Sequence, residues 1–128
     1  MDMTVIETAG APKAIGPYSQ AIDCRPSRMV FLSGQIPLDP ATGAMVEGGV
    51  EAQAGRVLAN IDAVLVAAGM ARWSVVRTTI FLTDLADFAA VNDMYAAFFG
   101  DHRPARATVQ VAALPRGAKV EIDAIAVG

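Results

Sequence analysis

Residues 50–83 decide the fold class, and they read VEAQAGRVLANIDAVLVAAGMARWSVVRTTIFLT. In the first half of this stretch, apolar residues recur every three or four positions and predict a helix that Gly69 ends. After a turn near Trp73, residues 75–83 are rich in β-branched side chains and predict a strand. The apolar face of the helix consists of Val57, Leu58, Ile61, Val64, Leu65 and Ala68.

The chain beyond this stretch predicts a second helix and two further strands. Asp84 or Asp87 caps the helix, and Gly100 ends it. Residues 107–113 and 119–127 predict a β-hairpin around a turn at 114–117. The apolar side of the second helix holds Phe88, Val91, Tyr95, Phe98 and Phe99. In the last strand one face holds Val120, Ile122, Ala124 and Ala126, and the other holds Lys119, Glu121 and Asp123.

Three short strands are predicted before residue 50, at 4–7, 18–23 and 29–32. The third is continuously apolar, as in a strand that is buried on both faces. The predicted order β-β-β-α-β-α-β-β lacks the regular alternation of a doubly wound fold. We therefore expect an α+β fold in one domain, residues 1–128, with two helices on one face of a mixed sheet. The uncovered face of that sheet is where neighbouring subunits could pack.

The composition supports an ordered, oligomeric protein. Hydrophobic residues make up 54% of the chain and charged residues 18%, which excludes a disordered chain and favours a buried subunit interface. The longest run without a polar side chain, Ala63 to Ala71, is far shorter than the roughly 20 residues of a membrane span. The net charge of −3 and the pI near 4.9 argue against nucleic acid as the main partner. The first residues do not resemble a signal peptide, so we expect a cytoplasmic protein.

Several kinds of catalytic chemistry lack the residues they need. Cys24 and His102 are the only cysteine and histidine, so an intrachain disulfide and a cysteine or histidine metal cluster are excluded. A nucleophilic pair of these two residues is conceivable, but a partly buried thiol and a solvated histidine explain them as well. The sequence contains no nucleotide-binding glycine motif. Lys13 and Lys119 are the only lysines, and neither lies in the apolar setting of a Schiff-base lysine.

Arg106 is the most informative charged residue. It lies where Pro104 and Ala105 lead into an apolar strand, so its guanidinium needs an anion or a set of carbonyl groups. One alternative is a structural ion pair with Glu121 or Asp123 across the predicted hairpin.

The sequence pattern around three other polar residues allows a structural or a functional interpretation. Glu121 is either a solvated residue of an alternating strand or an acid at a site. Tyr18 and Ser33 lie beside glycine or proline, so each is either a turn residue or a ligand contact.

Five short segments stand out along the chain, in this order: Gly16-Pro17-Tyr18-Ser19-Gln20-Ala21, Ser33-Gly34-Gln35-Ile36-Pro37, Asn92-Asp93-Met94-Tyr95, Pro104-Ala105-Arg106 and Val120-Glu121-Ile122-Asp123-Ala124. Together they resemble the Rid family of reactive intermediate deaminases, also called YjgF-type proteins. The resemblance covers nearly the whole chain. It implies a chorismate-mutase-like fold that assembles as a homotrimer with three clefts between subunits.

The resemblance also implies an activity. Members hydrolyse 2-imino acids and their enamine tautomers, such as 2-aminoacrylate, 2-iminopropanoate and 2-iminobutanoate, to 2-keto acids and ammonia, without a metal or an organic cofactor. By similarity, Arg106 binds the substrate carboxylate and Glu121 positions or deprotonates the attacking water. Tyr18, Ser33 and Asn92 shape the cleft or hold the water. The backbone of Thr108 accepts a hydrogen bond from the departing nitrogen.

The chain also departs from the family pattern. It has Ala107-Thr108 where imine deaminases typically have Ser-Cys. Its loop from Gly100 to Arg103 is shorter and lacks the aromatic residue that commonly precedes Pro104.

Three functions follow from these observations. The first is an imine/enamine deaminase that clears reactive products of pyridoxal-phosphate-dependent dehydratases, a form of metabolite damage control. The second is a non-catalytic trimeric protein whose clefts bind small carboxylates. A chorismate-mutase-type reaction fits the fold alone, because the chain has few basic residues for a dianionic substrate.

Overall fold

A computed structural model describes residues 2–128 of the chain. The order of helices and strands is the one predicted. Within the described residues, no helix combines the length and the apolar character that crossing a membrane requires. The elements are β1 (Met3–Ile6), β2 (Ala21–Cys24), β3 (Met29–Gln35), α1 (Val50–Ala67), β4 (Val75–Leu82), α2 (Phe88–Phe99), β5 (Ala105–Gln110) and β6 (Val120–Val127).

The strands form two sheets. Strands β1 and β2 pair antiparallel as a separate two-stranded sheet. The other four form a mixed sheet in the order β3-β6-β4-β5, in which β4 and β5 are parallel and the remaining pairs are antiparallel. Parallel neighbours need a crossover connection, and α2 supplies it between β4 and β5.

The predicted C-terminal hairpin is wrong. Among the strands of residues 2–128, β5 pairs only with β4, and β6 lies on the other side of β4 and also pairs with β3. The turn signal at 114–117 marks a reversal of the chain, and a 3₁₀ turn does form at Pro115–Gly117. A turn signal does not determine which strand becomes the neighbour. Here β6 lies between β3 and β4 and every second one of its side chains is buried, whereas β5 lies at the edge of the sheet.

The two helices pack on one face of the mixed sheet and build the core, as predicted. From α1 the core takes Val57, Leu58, Ile61 and Leu65, and from α2 it takes Val91, Tyr95 and Phe99. The facing row of β6 consists of Val120, Ile122, Ala124 and Ala126, the row predicted from alternation.

The opposite face of the sheet is open in the single chain. On β3, Phe31 is 70% exposed and Met29 is 50% exposed. The prediction that this strand is buried on both faces is therefore wrong for one chain, because both helices lie on the other side. Val109 on β5 extends the same apolar face, since its partner Phe81 on β4 also points away from the helices.

The helix ends follow their turn residues. Gly69 and Gly100 both have positive φ angles, +71° and +61°, which explains why glycine ends each helix. Asp84 accepts a hydrogen bond from the Ala86 amide at 2.9 Å and caps a short 3₁₀ turn at Leu85–Asp87. Helix α2 continues from that turn, and the Asp87 side chain makes no cap.

Candidate active site

A cavity of about 380 Å³ opens between the edge strand β5, the first turns of α2 and the loop before β2. Four of the six predicted site residues line it, namely Tyr18, Asn92, Arg106 and Thr108. The remaining lining residues are Ile15, Gly16 and Phe88.

Each wall of this cavity has a local structural reason. On β5, Arg106 and Thr108 are two residues apart and project to the same side. On α2, Phe88 and Asn92 are four residues apart and share one helix face. The loop that carries Tyr18 is attached to β5, because the following Ser19 amide donates to the Pro104 carbonyl at 3.2 Å.

Among residues 2–128, no acidic side chain forms an ion pair with the Arg106 guanidinium. Its Nη1 donates a hydrogen bond to Asn92 Oδ1 at 2.8 Å. The only ion pair among residues 2–128 joins Arg72 and Asp62. The ion pair considered as an alternative is therefore absent from the described residues, and Asp123 instead accepts a hydrogen bond from the Thr79 amide at 3.1 Å.

Aromatic rings surround the same guanidinium. Its Cζ lies 5.0 Å from the centroid of Tyr95, 5.3 Å from that of Tyr18 and 5.7 Å from that of Phe88. Burial lowers the pKa of Arg106, and Tyr95 and Tyr18 partly oppose that shift. An arginine remains charged at neutral pH. The cavity thus offers a cation whose N–H groups are mostly unused.

The ring of Tyr95 packs against the Arg106 guanidinium. Its side chain is fully buried, and its hydroxyl shares a 2.7 Å hydrogen bond with Thr78 Oγ1. Burial raises the pKa of Tyr95 to about 12, against the smaller opposing effects of Thr78 and Arg106. Tyr95 is therefore neutral and presents a ring face to the guanidinium.

Thr108 contributes a side-chain hydroxyl group to the cavity wall. Its Oγ1 is buried and has no hydrogen-bond partner among the described residues. Its backbone belongs to β5, where Thr108 lies opposite Ile80.

Ser33 and Glu121, the other two predicted site residues, lie elsewhere. Ser33 is exposed at an irregularity of β3, where the register with β6 shifts between Leu32 and Gln35. Glu121 lies against this irregularity: a Cβ added at Gly34 would clash with the Glu121 carboxylate and lie 2.8 Å from its Cδ. Only glycine leaves room for the carboxylate there.

Sheet register separates Glu121 from the cavity. Arg106 lies opposite Thr78 on β4, and Thr78 is buried on the helix side of the sheet. Glu121 lies opposite Phe81, which is an odd number of residues from Thr78 and so points to the other side. Arg106 and Glu121 therefore project from opposite faces.

Cys24 and His102 do not form a nucleophilic pair through any hydrogen bond of the described chain. His102 Nε2 lies 2.6 Å from the Val75 carbonyl oxygen, so the ring is attached to the backbone rather than freely solvated. Cys24 lies in the small sheet, opposite Met3. Within residues 2–128, no group of three or more acidic, cysteine or histidine side chains is arranged to hold a metal ion.

A second cavity, of about 460 Å³, lies beside the loop that follows β1. Its charged residues are Glu7 and Lys13, and both are exposed. It brings together none of the residues predicted for catalysis, so we place the candidate site at Arg106.

Sequence reasoning missed the apolar part of the site. The sequence places Phe88 and Tyr95 on the apolar side of α2 and gives Ile15 no role. The four-residue spacing of Phe88 and Asn92 was a signal that both belong to one wall. No local signal in the sequence marks Ile15.

Comparison with known proteins identifies the family. The family described as "Endoribonuclease L-PSP" matches residues 8–128. "Protein DfrA" of Myxococcus xanthus is 63% identical over 127 residues, which are 99% of this chain and 97% of that protein. The "2-iminobutanoate/2-iminopropanoate deaminase" of Capra hircus is 52% identical over 96% of this chain and 88% of that protein.

A solved structure has a similar fold and sequence. The crystal structure of E. coli TdcF with bound serine matches with a TM-score of 0.75 and 48% identity, and it covers 98% of each chain. Its mixed α+β architecture is the one described above. Together with the site geometry, these matches show that the chain belongs to the YjgF/Rid family.

Proposed function

We propose that this protein is a cofactor-independent hydrolase of 2-imino acids and their enamine tautomers, which it converts to 2-keto acids and ammonia. The observation that carries the proposal is the Arg106 guanidinium, which lies in an aromatic-lined cavity without an acidic partner. Its planar fork matches a carboxylate, which every 2-imino acid carries. The name of the goat relative and the serine bound to TdcF support a ligand of this class.

Asn92 prepares the guanidinium for this role. Its amide oxygen accepts from one terminal nitrogen of Arg106, which fixes the plane of the fork. The remaining N–H groups of Arg106 are then available to the substrate carboxylate. The rings of Tyr18 and Phe88 lie 5.3 Å and 5.7 Å from the guanidinium carbon and stabilise the cation by cation–π attraction.

The reaction requires a positioned water molecule and a general base. The water oxygen bonds to C2 of the imine, and its two protons pass to the nitrogen. The C2–N bond breaks, ammonia leaves, and C2 retains the oxygen as a carbonyl group. Because the imine is already electrophilic, a fixed geometry and one general base suffice.

Glu121 is our proposed base, and its position requires a second subunit. It projects from the face of the sheet opposite to Arg106, so the site forms where the outer face of one copy meets the β5 edge of the next. The exposed apolar side chains of Met29 and Phe31 on that outer face support such packing. We propose a homotrimer, in which each cleft takes Arg106, Tyr18 and Asn92 from one subunit and Glu121 and Ser33 from its neighbour.

The cavity does not favour the RNA chemistry that the family description names. RNA binding uses several cations along a phosphate backbone. The lining of this cavity contains one cation, Arg106, together with three apolar or aromatic side chains. Such a lining suits a small carboxylic acid better than a long polyanion.

A carboxylate-binding protein without turnover is the second candidate. It is favoured by the absence of an acidic or basic side chain other than Arg106 from the cavity lining of a single described chain. Both candidates predict that 2-oxobutanoate binds, so turnover distinguishes them.

A coupled assay tests turnover. Threonine dehydratase releases the enamine and imine of 2-oxobutanoate, and semicarbazide traps the free imine before water attacks it. If the protein is a deaminase, adding it should raise the rate of keto-acid release and lower the yield of trapped imine. Folded protein that binds 2-oxobutanoate but leaves both quantities unchanged would establish the binding protein instead.

A further inference from the structure

We propose that Arg103 is a second anion-binding residue, at the rim of the Arg106 cavity, and that it selects 2-imino acids with a second carboxylate at the end of a short side chain. This inference rests on the proposed function and narrows its substrate class.

Gly16 lies between the guanidinium groups of Arg103 and Arg106. This residue lines the cavity, and its carbonyl oxygen lies 3.5 Å from Arg103 Nη1. On its other side, a Cβ added at Gly16 would lie 3.7 Å from Arg106 Nη2. Given the dimensions of one backbone residue, the two cations lie within about 10 Å of each other.

The backbone of Arg103 is held beside the cavity wall. The Ser19 hydroxyl donates to the Arg103 carbonyl, and the Ser19 amide donates to the Pro104 carbonyl. Ser19 is buried and directly follows Tyr18, which lines the cavity. The root of the Arg103 side chain is therefore fixed relative to the site, although its guanidinium is exposed.

Neither cation is neutralised within the chain. The one ion pair that residues 2–128 contain, Arg72 with Asp62, does not include Arg103 or Arg106. Asp101 lies close in sequence but makes no ion pair with Arg103. Two unneutralised guanidiniums around one small cavity favour a ligand with two negative charges.

The arrangement orients such a ligand. The carboxylate next to C2 binds the inner guanidinium of Arg106, and the distal carboxylate extends to Arg103 at the rim. The side-chain carbons then pass Ile15 and Phe88, which are the apolar lining residues. A substrate of this class gives a 2-keto diacid on hydrolysis.

Calorimetric titration with product analogues tests the role of Arg103. 2-Oxobutanoate carries one carboxylate and 2-oxoglutarate carries two. In the wild-type protein we expect 2-oxoglutarate to bind more tightly. Arg103→Gln should weaken 2-oxoglutarate about fivefold, the upper range for an exposed ion pair, and leave 2-oxobutanoate unchanged. Arg103→Lys should retain most of the preference, and added salt should reduce it.

Arg116→Gln is the matched control. Arg116 is also exposed, but its Nη1 donates to the Gly43 carbonyl, which does not line the cavity. We expect this variant to bind both acids like the wild type. A wild type without preference for the diacid, an Arg103→Gln variant that weakens both acids equally or neither, or an equal effect of Arg116→Gln overturns the role of Arg103. The proposed function survives those results as long as 2-oxobutanoate binds; a wild type that binds neither acid overturns both.

Discussion

Arg106 and Glu121 project from opposite faces of one four-stranded sheet, and β4 lies between their strands. Two steps between strands alone separate their backbones by about 10 Å. No change of side-chain rotamer brings the two charges to one small ligand within a single chain. A reaction that needs both residues therefore needs two copies of the chain.

The first prediction concerns the carboxylate anchor. Arg106→Ala and Arg106→Lys should each lower kcat/KM for the dehydratase-derived imine by about 100-fold, because lysine keeps the charge but not the fork. Light scattering should show the same oligomer for both variants, since Arg106 makes no ion pair. Arg116→Gln serves again as the control. Retention of activity by Arg106→Ala in the wild-type assembly would refute the anchor role.

The second prediction uses the space that Gly34 leaves for Glu121. In Gly34→Ala the new methyl group would overlap the Glu121 carboxylate and displace it. We expect kcat to fall between about tenfold and 100-fold, with a small change in unfolding free energy because a flexible side chain can move away. Gly10→Ala is the matched control, since its Cβ would make an ordinary 3.4 Å contact with Thr8. Normal turnover by Gly34→Ala would argue against catalysis by Glu121.

The third prediction follows from the buried hydroxyl of Tyr95. The unfolded chain releases this proton near pH 10.0, whereas the folded chain holds it until about pH 12. Between these values the unfolded state binds fewer protons, so the free energy of unfolding falls as pH rises. The loss attributable to Tyr95 is about 2 kcal/mol across the interval.

Urea denaturation of the wild type and of Tyr95→Phe at fixed protein concentration measures this loss. The variant should be less stable at neutral pH, because Thr78 loses its partner, but its stability should fall less steeply above pH 10. Parallel curves for the two proteins would show that Tyr95 is not the group responsible.

The fourth prediction concerns the outer face of the sheet. Phe31→Glu should break the proposed trimer and abolish the proposed turnover, because burying an unpaired charge in an apolar interface is strongly unfavourable. Trp73→Glu is the matched control: Trp73 is 68% exposed and Phe31 is 70% exposed, but Trp73 follows α1 instead of lying on the sheet. Light scattering should give a trimer for Trp73→Glu alone. A Phe31→Glu variant that remains trimeric would exclude this face as the interface.

Local patterns in the sequence predicted the helices and the alternating strand. They did not predict which strands pair, because strand pairing depends on residues that are far apart in sequence. The spacing of Val57, Ile61 and Leu65 determines a helix face by itself, because neighbours along a helix are close in sequence. The partner of β6 depends on which strands cover both its edges, and nothing near residue 120 encodes that. The predicted hairpin failed for this reason.

The same limit applies to the site. Motif resemblance predicted that Tyr18, Asn92 and Arg106 belong together, and the structure brings them to one cavity. It could not predict that Glu121 lies on the far face, because a motif carries no information about strand order. The ring of Tyr95 beneath the guanidinium likewise depends on the crossover of α2, which only the folded chain reveals.

Mixed trimers test the shared site most directly. Arg106→Ala and Glu121→Gln chains with different affinity tags are co-expressed, and trimers that carry both tags are purified. Each variant alone should be inactive. In every trimer that carries both tags, one of the three clefts combines an intact Arg106 with an intact Glu121 from the neighbour, so about a third of wild-type turnover should return. A mixture of Arg106→Ala with Arg106→Gln should recover nothing. Mixed trimers of the first pair that remain as inactive as their parents would contradict a site divided between subunits.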